Sequence, residues 1–220
     1  MSSDHTPAQS RGIKITVAVV VAFILVVVAS FVHRINQPRA MTPTEMLANG
    51  TVLLQTPRDL GDFELVDHRG EPFTPERLEG HWTLVFFGFT HCPDICPTTM
   101  AFLNQFMQQL EGTEADDTEV VMVSVDPARD TPEQLAEYVP FFNPAFIGVT
   151  GEFLDVHRFA TALNTPFRKV PLDDGNYTVD HGGNVMVINP RGDYHAFFRT
   201  PLDMARMKTT YRAMRVLWDR

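Results

Sequence analysis

Positive charge is scarce in this sequence, which has 18 lysine and arginine residues against 27 aspartate and glutamate residues and a net charge of −9. An acidic domain repels phosphate backbones, so the charge argues against a nucleic-acid-binding function. Internal repeats and low-complexity tracts are also missing, and no Arg-rich, Ser-rich leader typical of an organelle transit peptide comes first. The length and the apolar fraction of 44% suit one buried core with an appendage.

One stretch lacks charge altogether: ITVAVVVAFILVVVASFV, from Ile15 to Val32. As a helix it would be about 27 Å long, close to the hydrocarbon thickness of a bilayer. It also has no polar stripe of the kind that a core helix carries. We therefore expect a tail over 1–14 and a membrane anchor over 15–32.

A bacterial inner membrane, crossed once with the soluble domain in the periplasm, is the natural location for such an anchor. Basic residues flank the apolar run equally, so the positive-inside rule leaves its orientation open. A cleavable signal peptide ending near Ala29 is the alternative, although the run is longer than a usual signal sequence core.

Beyond the anchor, residues 33–58 are proline-rich and weakly periodic, which predicts a tether. Residues 59–220 then alternate between strand and helix patterns in the order β-β-β-α-β-α-β-α-β-β-α, beginning with a hairpin over 63–74. This order predicts an α/β domain with a largely parallel sheet covered on both faces and closed by an antiparallel hairpin. The thioredoxin-like architecture has this order, and its chemistry lies in the loop after the first central strand.

Cysteine is scarce too: the chain has only Cys92 and Cys96, in the stretch GFTHCPDICPTTM. Pro97 suits the first position of a helix over 97–110, which would make Cys96 the N-cap and stabilise its thiolate. A structural disulfide across so small a loop would constrain the unfolded chain little. Thiol oxidoreductases usually separate their cysteines by two residues rather than three, which disfavours a plain thioredoxin role without excluding it.

A metal ion is the third explanation for the pair. Two thiolates suit Cu(I) or Zn(II), but two ligands seldom hold an ion, so a third ligand is needed. Among eight histidines, His181 stands out because it ends a strand-like run and precedes Gly182 and Gly183, which let the backbone turn closely around a site. His91 is a weaker candidate, since consecutive side chains diverge at a strand end. Periodicity alone leaves His181 equally open to a role as a ligand or as an ordinary hydrogen-bonded histidine.

Four segments resemble the Sco/SenC family in order and spacing, over about Phe63 to Leu217: DFELVDHRGEPFT, LVFFGFTHCPDICPTTM, VSVDPARDTPEQL and KVPLDDGNYTVDHGGNVMVINPRG. This family consists of membrane-anchored, thioredoxin-like copper proteins that assist assembly of the dinuclear copper centre of cytochrome c oxidase. The resemblance implies that Cys92, Cys96 and His181 bind copper, as Cu(I) or Cu(II). Many members have serine after the histidine, where this chain has Gly182.

Three aspartates are further candidates for the same site. Asp126 and Asp130 resemble a family motif at the end of the second central strand, where they would tune the site or meet a partner; a turn and helix-capping role is the alternative. Asp180 would orient the histidine, or else be a solvated turn residue.

The resemblance favours a copper chaperone whose partner is the copper-site subunit of cytochrome c oxidase, with another copper chaperone as a possible donor. The alternative is a thiol–disulfide reductase that keeps the oxidase cysteines reduced. A zinc site fits the ligands as well, whereas a thiol peroxidase suits the fold but not the cysteine pair with His181. An enzymatic activity is therefore left open.

Overall fold

The structure, a computed structural model, describes residues 7–36, 40–173 and 175–218. The α-helices are α1 (Pro7–Asn36), α2 (Pro43–Ala48), α3 (Ile95–Gln108), α4 (Thr113–Asp116), α5 (Pro132–Phe142), α6 (Phe153–Ala162) and α7 (Met204–Trp218). The strands are β1 (Thr51–Arg58), β2 (Leu65–Asp67), β3 (Pro72–Phe73), β4 (Trp82–Gly88), β5 (Thr118–Ser124), β6 (Ile147–Thr150), β7 (Phe167–Pro171), β8 (Tyr177–His181), β9 (Val185–Ile188) and β10 (Tyr194–Phe198). One 3₁₀ helix, Pro75–Leu78, lies between β3 and β4.

Eight of these strands form one sheet in the order β1-β10-β9-β4-β5-β6-β2-β3, and β7 and β8 form a separate two-stranded sheet. The predicted α/β class is confirmed, including the N-terminal β2–β3 hairpin and the single apolar helix that precedes the domain. Helices α3 and α5 connect β4 to β5 and β5 to β6, as in a thioredoxin-like fold.

The sheet is less parallel than its alternating sequence pattern predicts. Only the β4–β5 and β5–β6 pairs run parallel, whereas β9, β10 and β1 on one side and β2 and β3 on the other pair antiparallel. The prediction of a largely parallel sheet was therefore wrong outside the three central strands. Tight turns account for the β2–β3 and β9–β10 pairs, because they join antiparallel neighbours. The other three antiparallel pairs, β1–β10, β4–β9 and β2–β6, join strands distant in sequence, whose direction the alternation of strands and helices does not specify.

The core lies around β4 and β5, the parallel pair at the centre of the eight-stranded sheet. Every residue of β4 is buried, as expected for a strand covered on both faces. Helix α5 begins at a sequence signal for a helix start, because Thr131 accepts a hydrogen bond from the backbone N–H of Gln134, 3.3 Å away, and Pro132 occupies the first turn.

The expected tether over 33–58 differs from the structure. Residues 43–58 form α2 and β1, and β1 pairs with β10 at the edge of the main sheet. Met46 of α2 is fully buried, and the Thr51 hydroxyl lies 2.7 Å from the Thr210 hydroxyl in the core. The folded domain thus begins well before residue 59. The sequence pattern did not predict this strand because Pro57 lies within it, although an edge strand tolerates proline.

Helix α1 extends beyond the expected anchor at both ends. Of the expected tail over 1–14, residues 7–14 belong to α1, and residues 1–6 lie outside the described residues. The segment Ile13–Val32 is long and apolar enough to cross a membrane, and its side chains are exposed. A signal sequence passes the same test of length and composition.

Removal of residues 43–58 should destabilise the domain. We compare two shortened proteins, one covering 40–220 and one covering 59–220. The second should lose at least about 2 kcal/mol of unfolding free energy, the value of burying one methionine side chain such as Met46. Urea unfolding followed by circular dichroism measures this difference. Coincident unfolding curves would mean that residues 43–58 are a tether after all.

Candidate metal centre

Two loops meet at one edge of the sheet because β4 and β5 are parallel neighbours. The cysteine loop, residues 89–94, follows β4, and the aspartate loop, residues 125–131, follows β5. The first residue of the aspartate loop is tied to the last residue of β4 by a hydrogen bond from the Val125 backbone N–H to the Gly88 carbonyl, 2.9 Å long. Carboxyl ends of parallel strands are where α/β domains build their sites.

Cys96 lies inside the first turn of α3, not at its N-cap. The helix begins at Ile95, and Asp94 holds the N-cap position, so the prediction that Pro97 opens the helix was wrong by two residues. The backbone N–H of Cys96 donates to Cys92 Sγ at 3.4 Å, which folds the loop back on the helix. The error is small in sequence, but it moves Cys96 from the end of the helix into its packed face.

Burial dominates the chemistry of Cys96. The side chain is fully buried, and a Cβ on Gly88 would stand 3.1 Å from its sulfur and 2.8 Å from Phe86 Cε1, so glycine at the end of β4 leaves room for both side chains. This burial raises the pKa of the Cys96 thiol well above its ordinary value, and the hydrogen bond with Cys92 raises it further. The expected stabilisation of its thiolate by the helix N-terminus is therefore outweighed by desolvation. Cys92, within the cysteine loop, is half-buried.

His181 reaches the cysteines from β8, which it ends as predicted. Its backbone pairs with Phe167 of β7, a strand that the sequence pattern did not reveal. The imidazole ring packs edge-on against Phe86 and Phe89, with ring centroids 6.1 and 5.8 Å away. These contacts come from β4 and the cysteine loop, so the ring sits above the end of the central strand.

The hydrogen bonds of the ring select its tautomer. Nδ1 lies 3.1 Å from the Gly182 carbonyl oxygen, which can only accept, so Nδ1 carries the proton. Nε2 then presents its lone pair 3.6 Å from Cys96 Sγ. Burial lowers the pKa of His181, more than the Gly182 carbonyl and the charge of Asp180 raise it, which favours the neutral imidazole that binds metals.

The ligand atoms of Cys92, Cys96 and His181 all lie within 4.8 Å of one another. Among the residues that the structure describes, this is the one group of three or more His, Cys, Asp or Glu side chains with metal-site spacing. Two sulfurs and one imidazole form a soft donor set, suited to Cu(I), Cu(II) or Zn(II). Three ligands leave a further coordination position open.

Of the two glycines that follow His181, only Gly183 is closely packed against its neighbours. A Cβ on Gly183 would stand 2.9 Å from Ile95 Cδ1 and 3.0 Å from Thr200 Cγ2, so the chain passes close to the start of α3. Around Gly182, by contrast, nothing lies within 4 Å of a Cβ. A serine at position 182 would therefore fit without a clash.

The two aspartates of the aspartate loop are buried and lie behind the site. Asp130 accepts hydrogen bonds from the Thr90 backbone N–H at 2.9 Å, the Thr90 hydroxyl at 2.6 Å and the Ser124 hydroxyl at 2.6 Å. Asp126 accepts one from the Tyr177 hydroxyl at 2.9 Å and pairs with Arg129. Each aspartate thus contacts one arm of the site, Asp130 the cysteine loop and Asp126 the histidine strand.

Asp180 points the other way. Successive side chains of a strand face opposite sides, so Asp180 faces solvent when His181 faces the sulfurs. Its Oδ2 pairs with Arg168 at 3.2 Å, on an exposed part of the surface. Its described contacts are those of a solvated strand residue.

Other histidines are engaged elsewhere. The His68 ring accepts a hydrogen bond from the Gly148 backbone at 3.1 Å, His81 lies 3.3 Å from Glu119, and His195 packs on Trp82. His91 is exposed, and its Nδ1 lies 3.0 Å from the Thr90 hydroxyl, outside the cluster of three ligands. His5 lies outside the described residues.

Sequence reasoning missed two tyrosines that border the site. Tyr177 holds Asp126, and Tyr138 of α5 has a buried hydroxyl without a hydrogen-bond partner among the described residues. Burial and the nearby charges of Cys96, Cys92 and Asp130 raise the pKa of Tyr138. An aromatic residue in a helix or strand gives no local signal of such a position, since it is equally typical of the core.

The fold and the site together define a class of protein: a thioredoxin-like domain with a Cys₂His metal site at the end of its central strand. The SCO1/SenC family profile matches residues 53–215, and the chain belongs to this family. A Stutzerimonas stutzeri protein, named as a candidate copper-binding protein, is 39% identical over 75% of this chain and 81% of its own length.

Solved structures agree with this assignment. Arabidopsis thaliana ScoI with copper bound matches with a TM-score of 0.67 and 32% identity, covering 71% of this chain and 98% of that chain. Yeast Sco1 with copper bound matches with a TM-score of 0.64 and 29% identity, covering 70% and 87%.

The two thiols should react unequally with alkylating agents. Because only a thiolate is alkylated, the raised pKa and full burial of Cys96 should protect it at pH 7, while Cys92 reacts. Labelling of Cys96 should increase steeply only at alkaline pH, as its thiol loses the proton. Mass spectrometry of the reduced, metal-free protein after a short iodoacetamide pulse measures both sites. Equal labelling of the two at pH 7 would contradict the burial of Cys96.

Proposed function

We propose that the protein is a membrane-anchored copper chaperone, which binds copper through Cys92, Cys96 and His181 and supplies it to the dinuclear copper site of cytochrome c oxidase. The observation that supports this most directly is the meeting of the three ligand atoms within 4.8 Å. Copper is favoured over zinc because two structures similar to this chain carry copper by name.

The site has the openness that metal transfer requires. A cleft of ≈ 370 Å³ lies beside the imidazole, lined by residues 166–168 and 180–182. With three protein ligands, the open coordination position lets a ligand from the recipient enter before the chaperone releases the ion. Cys92, half-buried at the surface of the loop, is the sulfur that such a partner meets first.

The partners and the location follow from the resemblance and the N-terminal helix. The recipient is the copper-site subunit of cytochrome c oxidase, and another copper chaperone is a candidate donor. An anchor over 15–32 would hold the domain at a bacterial inner membrane, on the periplasmic side, within reach of a membrane-bound oxidase. The acidic surface is compatible with a donor or recipient that carries positive charge.

Substitution of His181 tests the three-ligand site. The shortened protein covering 40–220 should bind about one copper ion per chain, and His181→Ala should weaken Cu(II) binding by at least about tenfold, since even outer partners of metal ligands are worth that much. Chelator competition measures the affinity. His91→Ala is the matched control, because this exposed imidazole adjoins Cys92 but lies outside the cluster. Undiminished binding in His181→Ala would overturn the proposal.

A thiol–disulfide reductase is the second candidate, and the proximity of the two sulfurs favours it. The step would be attack of a thiolate on an oxidised cysteine pair of the oxidase, followed by formation of the Cys92–Cys96 disulfide, so that two electrons pass to the oxidase cysteines.

Exchange with a peptide that carries the oxidase copper-site cysteines as a disulfide separates the two functions. A chaperone should leave this peptide oxidised over minutes and should instead pass copper to the reduced peptide. Mass spectrometry of quenched samples reads both outcomes. Rapid reduction of the peptide, equal in the protein and in His181→Ala, would identify a reductase instead.

A further inference from the structure

The hairpin formed by β7 and β8 carries His181 but lies outside the eight-stranded sheet. Strand hydrogen bonds to that sheet therefore do not fix it within the described part of the chain. Just after the C-terminal end of β8, Gly183 packs against Ile95. At the N-terminal end of β8, a polar cluster joins the hairpin to the aspartate loop. The cluster consists of Asp126, Arg129, Lys169 and Tyr177.

The alternation of β8 places Tyr177 and His181 on the same face. They are four residues apart, about 13 Å along a strand. The register with β7 puts Lys169 opposite Val179 on this face, and Val179 itself is buried. One face of the hairpin thus carries an anchoring tyrosine, an anchoring lysine and the metal-binding imidazole in a row.

Asp126 is the common partner of the anchoring residues. Its Oδ1 accepts a hydrogen bond from the Tyr177 hydroxyl at 2.9 Å and lies 3.6 Å from Lys169 Nζ, while Oδ2 pairs with Arg129. The carboxylate is fully buried, so these contacts are strong and their loss is costly.

Two cations also hold the Tyr177 ring. The Arg129 guanidinium lies 3.9 Å from the ring centroid and the Lys169 ammonium 4.3 Å from it. Arg129 additionally donates to the Tyr177 carbonyl at 3.2 Å. The ring, the hydroxyl and the backbone carbonyl of Tyr177 are therefore all held by Asp126 itself or by residues that contact Asp126.

The other arm of the site is fixed by the same loop. Asp130 binds Thr90 at the start of the cysteine loop, and Ser124 links the two aspartates, because its hydroxyl donates to Asp130 and accepts from the Asp126 backbone at 3.1 Å. One short segment thus contacts both the sulfur arm and the imidazole arm.

We propose that Asp126 is a positioning residue, which holds the imidazole of His181 within reach of the two sulfurs by anchoring the β7–β8 hairpin through Tyr177 and Lys169. This inference rests on the proposed copper site and adds the element that sets its nitrogen-to-sulfur distance. The role differs from a ligand role because Asp126 is occupied by its own partners and lies behind the site.

Tyr177→Phe tests the anchor, because it keeps the ring between the cations and removes only the hydroxyl that Asp126 accepts. It should weaken Cu(II) binding about tenfold, as expected for a partner outside the ligand shell, and alter the Cu(II) absorption and nitrogen hyperfine spectrum. Cu(I) binding, which the two thiolates dominate, should stay close to its original strength. Chelator competition for both oxidation states in the 40–220 protein measures this.

Tyr211→Phe is the matched control. Tyr211 is a buried tyrosine whose hydroxyl lies 2.6 Å from the Thr118 hydroxyl and whose ring lies 5.6 Å from Arg215, at the opposite end of β5. It should lower the melting temperature without changing the Cu(II) spectrum. Asp126→Asn should weaken Cu(II) binding more than Tyr177→Phe, since Lys169 loses its partner too.

The outcomes separate this inference from the proposed function. If His181→Ala leaves Cu(II) binding intact, the three-ligand site is wrong. If His181→Ala weakens binding but Tyr177→Phe leaves the Cu(II) affinity and spectrum unchanged, only the positioning role is overturned. Equal weakening by Tyr177→Phe and Tyr211→Phe would overturn it as well, since it would trace the loss to general destabilisation.

Discussion

The distance between one imidazole and two sulfurs is the constraint on which this site depends. The sulfurs lie where β4 runs into α3, at the centre of the main sheet, and the imidazole ends a hairpin outside that sheet. Backbone pairing alone does not join the two. Side chains do so: Phe86 and Phe89 against the ring, Ile95 over Gly183, and Tyr177 on Asp126. The ligand geometry is thus a product of tertiary packing.

Burial keeps Cys96 and His181 uncharged in the metal-free protein. The Cys96 thiol has a raised pKa and the His181 imidazole a lowered one, both chiefly from desolvation, so neither carries charge at neutral pH. A soft cation reverses this preference, because it takes the place of the thiol proton and compensates the charge of the sulfur. The same burial that makes Cys96 a poor nucleophile therefore suits it to a metal, and this favours the chaperone over the reductase.

The sequence predicts the central part of the fold well because its signals are local. Continuous apolar runs mark β4 and β5, and Thr131 with Pro132 marks the start of α5. Strands outside the centre of the sheet were harder to predict. Strand β1 contains Pro57, and β7 reads FRKVP, a short and largely exposed segment without alternation. Such strands form because a neighbouring strand pairs with them, so residue propensity and periodicity predict them poorly.

The residues of the site also differ in how well the sequence predicts them. Proximity in sequence singles out Cys92 and Cys96, whereas His181 follows 85 residues after Cys96 and required the family resemblance. Asp126 and Asp130 could be placed near the site, but their roles depend on partners that only the fold supplies. An aspartate at a strand end caps a helix, meets solvent or anchors another strand according to what packs on it. Here Tyr177 arrives from 51 residues away and makes Asp126 an anchor.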